Sequence, residues 1–133
     1  MDGAGTSLIG VRVLLVDDDA DLRFLMAAML EREGAIVTES TSARDAYAVL
    51  LLERPDVLVT DLTMPGEDGF WLIAAIRALS AAHGGGTPAA ALTGHVTPED
   101  RASVLRAGFQ FHVAKPDAPD HLVGIVAILA QKP

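Results

Sequence analysis

Five times along this 133-residue chain, a short apolar run gives way to a segment whose apolar residues recur every three or four positions. VRVLLV (11–16) has no sustained polar alternation, as expected of a strand buried on both faces. From Asp21 the period changes: Leu22, Leu25, Met26, Met29 and Leu30 share one helical face, and Gly34 supplies a stop. AIVTES (35–40) opens a second unit, whose helix carries Ala46, Val49 and Leu50 behind a Ser42–Asp45 pair spaced as a capping box. DVLVT (56–60) precedes a helix marked by Leu72, Ile73, Ile76 and Leu79. AAALT (89–93) precedes one that runs from Thr97–Pro98 to Gly108. Alanine is a poor strand former, so this fourth strand follows from its place in the alternation. FQFHVAKP, followed by Leu122, Ile125, Val126 and Leu129, completes the series.

Strands alternating with helices imply right-handed crossovers and a parallel sheet covered on both sides. The predicted fold class is α/β, a flavodoxin-like doubly wound (βα)5 with strand order 2-1-3-4-5. Ligands in such sheets bind beyond the carboxyl ends of the strands, where strand order reverses. Strands one and three flank that point. The length suits one domain, expected over residues 11–131. Residues 1–10, mostly small and turn-forming, are expected to be a flexible leader or linker.

Composition excludes several functions. A formal net charge of -8 repels phosphate backbones and anionic lipid, so direct nucleic-acid or membrane contact is not expected. Cysteine is absent, which removes disulfides and thiolate chemistry and suits a reducing compartment. No basic residue precedes Arg12, and the run VGIVAILA (123–130) is far short of the roughly 20 residues that cross a bilayer. A cytoplasmic location is the expectation.

The chemistry concentrates at strand ends. Asp17 and Asp18 follow the first strand, and Asp61 follows the third, just before the chain breaks at Pro65, Gly66 and Gly69. The topology brings these carboxylates into one crevice. Two carboxylates about 4 Å apart repel by roughly 4 kcal/mol at an effective dielectric of about 20, so the cluster requires a cation or a raised pKa. An oxygen-only ligand set favours a hard ion, and Mg2+ suits it best. That ion keeps waters and accepts phosphate oxygens, which points to phosphoryl chemistry. Lys115 after the fifth strand offers a point charge, and Thr93 at the end of the fourth offers a hydroxyl.

VLLVDDD, VLVTDLTMPGEDG, ALTG and HVAKP, in this order and spacing, resemble the receiver domain of two-component response regulators over residues 11–131. The resemblance implies that Asp61 accepts a phosphoryl group from a histidine kinase or a histidine phosphotransfer protein, without a small-molecule substrate to turn over. It implies Mg2+ held by Asp18, Asp61 and the Thr63 carbonyl, with Asp17 acting through water. Lys115 would pair with the acids and then with the phosphoryl group. Thr93 would move onto the new phosphoryl oxygen and the residue at position 112 would turn inward behind it, changing the protein-contact surface. A cis Lys115–Pro116 bond is a further implication, and a homodimer on phosphorylation is left open.

Two positions depart from the family pattern. His112 stands where an aromatic residue is usual, which introduces pH sensitivity. Thr63 and His95 occupy the positions that tune phosphate lifetime in the family. Two other functions compete. A phosphatase of the haloacid dehalogenase type also uses a strand-end aspartate with Mg2+, but requires a second aspartate where this chain has Thr63. A degenerate receiver acting only as an interaction module has His112 in its favour and the retained Asp17, Asp18, Asp61, Thr93 and Lys115 against it. The layout fits either a stand-alone regulator or the terminal receiver of a hybrid histidine kinase, which AGFQFHVAKP and the first ten residues resemble. Trp71 falls at the edge of its helix's apolar face, leaving partial burial and a docking role both open.

Overall fold

The computed structural model describes residues 7–94, 97–115 and 118–131. Five strands, β1 (Arg12–Val16), β2 (Ile36–Ser40), β3 (Val57–Asp61), β4 (Ala89–Thr93) and β5 (Phe111–Ala114), form one sheet in the order 2-1-3-4-5. Every neighbouring pair is parallel. The register brings Val16 level with Ser40 and Thr60, Asp61 level with Leu92, and Thr93 level with Ala114. The carboxyl ends of the strands therefore form one rim. The predicted flavodoxin-like arrangement is the observed one.

Helices α1 (Ala20–Arg32) and α5 (Ala118–Ala130) cover one face, while α2 (Ala43–Glu53), α3 (Gly69–Arg77) and α4 (Pro98–Ala107) cover the other. Strand alternation divides the core accordingly. Val13, Leu15, Val57 and Val59 pack with Met26, Leu30, Leu122 and Val126. Leu14, Val16 and Leu58 pack with Leu50, Leu72, Ile73 and Ile76. In β4, Ala89, Ala90 and Ala91 are all fully buried between β3 and β5. Burial on both faces and pairing on both edges override their weak strand propensity.

The starts of α1 to α4 are fixed by side-chain caps. Asp19 accepts from the Leu22 amide and Asp68 from the Trp71 amide. The third acid of the DDD run is thus spent on capping α1, leaving the first two for the rim. The reciprocal capping box occurs at Thr97–Asp100. At Ser42–Asp45 only half of one forms, because the Asp45 carboxylate accepts from the Ser40 hydroxyl at 2.8 Å.

Leu8 is fully buried in the α1/α5 side of the core, and its amide donates to the Glu33 carbonyl at 2.8 Å. The packed unit therefore includes this part of the expected leader. Trp71 is partly buried: Tyr47 meets it edge-on at 6.1 Å and the Arg44 guanidinium lies 5.3 Å from its ring centroid. Among the described residues, no helix is long and apolar enough to cross a membrane. The expected cis Lys115–Pro116 bond, and His95, lie outside the described residues.

Candidate functional site

Asp17 leaves β1 with its amide still bonded to the Ser40 carbonyl at 3.1 Å, so the β1–β2 ladder fixes its backbone. Its side chain is fully buried, and Oδ1 accepts from the Asp19 amide at 2.9 Å. Asp18, the next residue, is exposed. Asp61 is the last residue of β3 and nearly buried, and Oδ1 accepts from the Thr63 amide at 3.2 Å. After it, Leu62 donates to the Leu92 carbonyl and Gly69 to the Leu62 carbonyl. The loop thus returns to the strand end it left. The structure brings Asp17, Asp18 and Asp61 together, each offering a carboxylate oxygen within 4.8 Å of the others.

Lys115 reaches this cluster from beyond β5. Its Nζ lies 3.0 Å from Asp61 Oδ2 and 3.3 Å from Asp17 Oδ2. Nζ donates a long bond to Asp17 Oδ1 at 3.5 Å but meets Oδ2 only as a charge contact, so Asp17 Oδ2 is buried with no donor. One ammonium faces three carboxylates. The surplus negative charge and the undonated buried oxygen fit a hard divalent cation, and all the oxygen donors are of the type Mg2+ takes.

Burial raises the pKa of Asp61, and the charge of Asp17 adds to it. The hydrogen bonds from Lys115 and the Thr63 amide oppose the shift without cancelling it. For Lys115, burial works to lower the pKa, but the hydrogen bond and charge of Asp61, together with Asp17, raise it above the usual lysine value. The ammonium is therefore kept protonated beside the acids.

Thr93 ends β4, and its Oγ1 is buried without a partner. It lines a cavity of about 420 Å3 together with Thr63, Phe70 and Ser103. Thr63 itself is exposed on the loop after Asp61. His112 pairs with Ala91, and Ala91 belongs to the core on the α2/α3/α4 side, so His112 and Thr93 share that face of adjacent strands. His112 Nδ1 is also buried without a partner, and burial with the nearby charge of Arg101 lowers its pKa. Thr93 and His112 do not join the acidic cluster, although Thr93 shares its cavity with Leu62 and Thr63 of the loop after Asp61.

The profile of the response regulator receiver domain matches residues 13–127. The chain belongs to the response regulator receiver family. A 14.6 kDa protein of the sodA1 3' region of Leptolyngbya boryana is 44% identical over 120 residues, covering 90% of each chain. The transcriptional regulatory protein ResD of Bacillus subtilis is 32% identical over 91% of this chain, which spans 48% of ResD. Hybrid signal transduction histidine kinase D of Dictyostelium discoideum is 35% identical over 80% of the chain, which spans only 7% of that protein. Among solved structures, the chemotaxis response regulator CheY4 of Vibrio cholerae superposes with a TM-score of 0.81 at 28% identity, over 90% of this chain and 98% of CheY4.

As a receiver domain the chain is a phosphoacceptor module of two-component signalling, and its acidic cluster is compatible with a bound metal. Two residues of the site escape sequence reasoning. Gly69 is visible only as loop punctuation, although it packs directly against the Asp61 carbonyl. Arg23 falls outside the apolar period of its helix, yet it is buried and donates to the Asp17 carbonyl at 2.8 Å. No pattern in the sequence marks that inward turn.

Proposed function

We propose that Asp61 is the phosphoacceptor, taking its phosphoryl group from a phosphohistidine of a histidine kinase or phosphotransfer protein. The observation that carries this reading is the position of Asp61: at the end of β3, paired with Lys115 at 3.0 Å and grouped with Asp17 and Asp18. An Asp61 carboxylate oxygen attacks phosphorus, the bond from phosphorus to the donor imidazole nitrogen breaks, and its electron pair returns to the ring. Hydrolysis of the acyl phosphate by water restores the carboxylate.

Asp17, Asp18, Asp61 and the Thr63 carbonyl are the residues that would hold Mg2+. When bound, that ion neutralises charge on the transferring oxygens. Lys115 holds the Asp61 carboxylate in place and supplies a positive charge to the phosphoryl oxygens. The Thr63 amide, bonded to Asp61 Oδ1, leaves Oδ2 and Lys115 on the other side of the carboxylate. Thr93 provides the hydroxyl that answers the new phosphoryl group, since its Oγ1 has no partner to give up. His112, on the same sheet face, follows it. Phosphorylation adds about -1.5 to -2 charge units and three acceptors, enough to bias a two-state surface.

The domain acts on itself, not on a free metabolite, and works in the cytoplasm through protein contacts, including self-association on phosphorylation. Incubation with acetyl phosphate and Mg2+ followed by intact mass tests the reading. One added phosphoryl group is expected on the wild type and none on Asp61→Asn. Sustained hydrolysis of many phosphate esters would favour a phosphatase instead.

A further inference from the structure

Arg23 lies in the first part of α1 but points inward, and only 7% of it is exposed. Its Nε donates to Glu39 Oε1 on β2 at 2.9 Å, and Nη1 donates to the Asp17 carbonyl at 2.8 Å. The planar fork of the guanidinium makes both bonds at once, which a lysine ammonium on a flexible stem does not reproduce. A buried guanidinium is costly unless paired, and here the pairing is completed by Glu39.

The Asp17 carbonyl belongs to the peptide that joins Asp17 to Asp18. Fixing that oxygen fixes the peptide plane, and with it the directions in which both side chains leave the backbone. The Asp17 amide is already fixed by Ser40. With the carbonyl fixed by Arg23, both peptide planes flanking Asp17 are held. Asp18, which is exposed, has no side-chain hydrogen bond among those described, so its direction depends on the plane that Arg23 holds.

We propose that Arg23, held by Glu39, is a positioning residue that aims Asp17 and Asp18 at Asp61 and so sets the divalent-cation affinity of the rim. This rests on the reading that the acidic cluster holds Mg2+. Groups that orient metal ligands from behind typically change affinity by 10- to 100-fold when altered. Arg23→Lys keeps the charge and loses the fork, so any change is not simple electrostatics.

Isothermal titration of Mg2+ into the wild type, Arg23→Lys, Glu39→Gln, the double variant and Leu50→Ala tests the proposal, with Tm measured in parallel. Leu50 is fully buried on the far side of the sheet and serves as a matched loss of stability. We expect Arg23→Lys to weaken Mg2+ by about 10-fold, the double variant to be no weaker than Arg23→Lys alone, and Leu50→Ala to keep wild-type affinity. Should Arg23→Lys not fold, Glu39→Gln carries the test, with weakened Mg2+ binding expected. Affinity of Arg23→Lys within twofold of the wild type, or an equal loss in Leu50→Ala, would overturn the role of Arg23. A wild type that binds no Mg2+ would instead overturn the metal-site reading beneath it.

Discussion

Gly69 lies so close to the carbonyl of Asp61 that a Cβ at position 69 would stand 2.5 Å from that oxygen and 2.9 Å from the Leu62 Cα. The obstacle is backbone, not a flexible side chain. Gly69→Ala therefore has to move the start of α3 away from the strand end that carries the proposed acceptor. Such overpacking costs roughly 1–3 kcal/mol. Urea unfolding should show that loss, and the rate of phosphoryl uptake from acetyl phosphate should fall with it.

The ionised Asp61 side chain is unfavourable in the folded protein, because burial and Asp17 raise its pKa. Asp61→Asn removes the charge at nearly constant shape, so without Mg2+ the variant should melt above the wild type. The order should reverse as Mg2+ is added. A ligand at roughly 100 times its Kd stabilises the folded state by about 2.7 kcal/mol, and that gain should appear in the wild type and be largely lost in Asp61→Asn. Thermal melts across a Mg2+ series measure both effects.

His112 has a folded pKa below the ordinary 6.5, through burial and Arg101. Between the folded value and 6.5 the unfolded chain binds more protons than the native one, so stability rises with pH in that window. It is fully present above 6.5 and lost as pH falls toward the folded value. His112→Phe should flatten this part of the stability–pH curve relative to the wild type. Urea midpoints taken from pH ~7 to ~5 measure the difference.

Leu8 is a fully buried residue within the stretch expected from the sequence to be a leader. Large-to-small substitution at such a site costs about 2–5 kcal/mol. Leu8→Ala should lower the urea midpoint accordingly, whereas a change at exposed Ile9 should leave it nearly unaltered.

The fold was legible because burial on both faces leaves runs such as VRVLLV without polar alternation, while each helix shows its apolar period. The alanines of β4 were the exception, since only their neighbours make them a strand. Leu8 gave no signal, because one leucine among small residues carries no period. At the rim, the strand-end rule anticipated that Asp17, Asp18 and Asp61 come together with Lys115 against them, without any knowledge of their distances. The directions of side chains were not legible. Arg23 turning inward, Trp71 folding under Arg44, and Asp45 choosing Ser40 over the capping box each depend on tertiary neighbours that no local pattern encodes.

The most direct test locates the phosphoryl group itself. An aspartyl phosphate is an acyl phosphate, which borohydride reduces to an alcohol with release of phosphate, converting the aspartate to homoserine. After acetyl phosphate and Mg2+ treatment, borohydride trapping and peptide mapping should place homoserine at position 61 and at no other carboxylate. Homoserine at Asp17 or Asp18, or none anywhere on protein that binds Mg2+, would contradict the assignment of Asp61 as the acceptor.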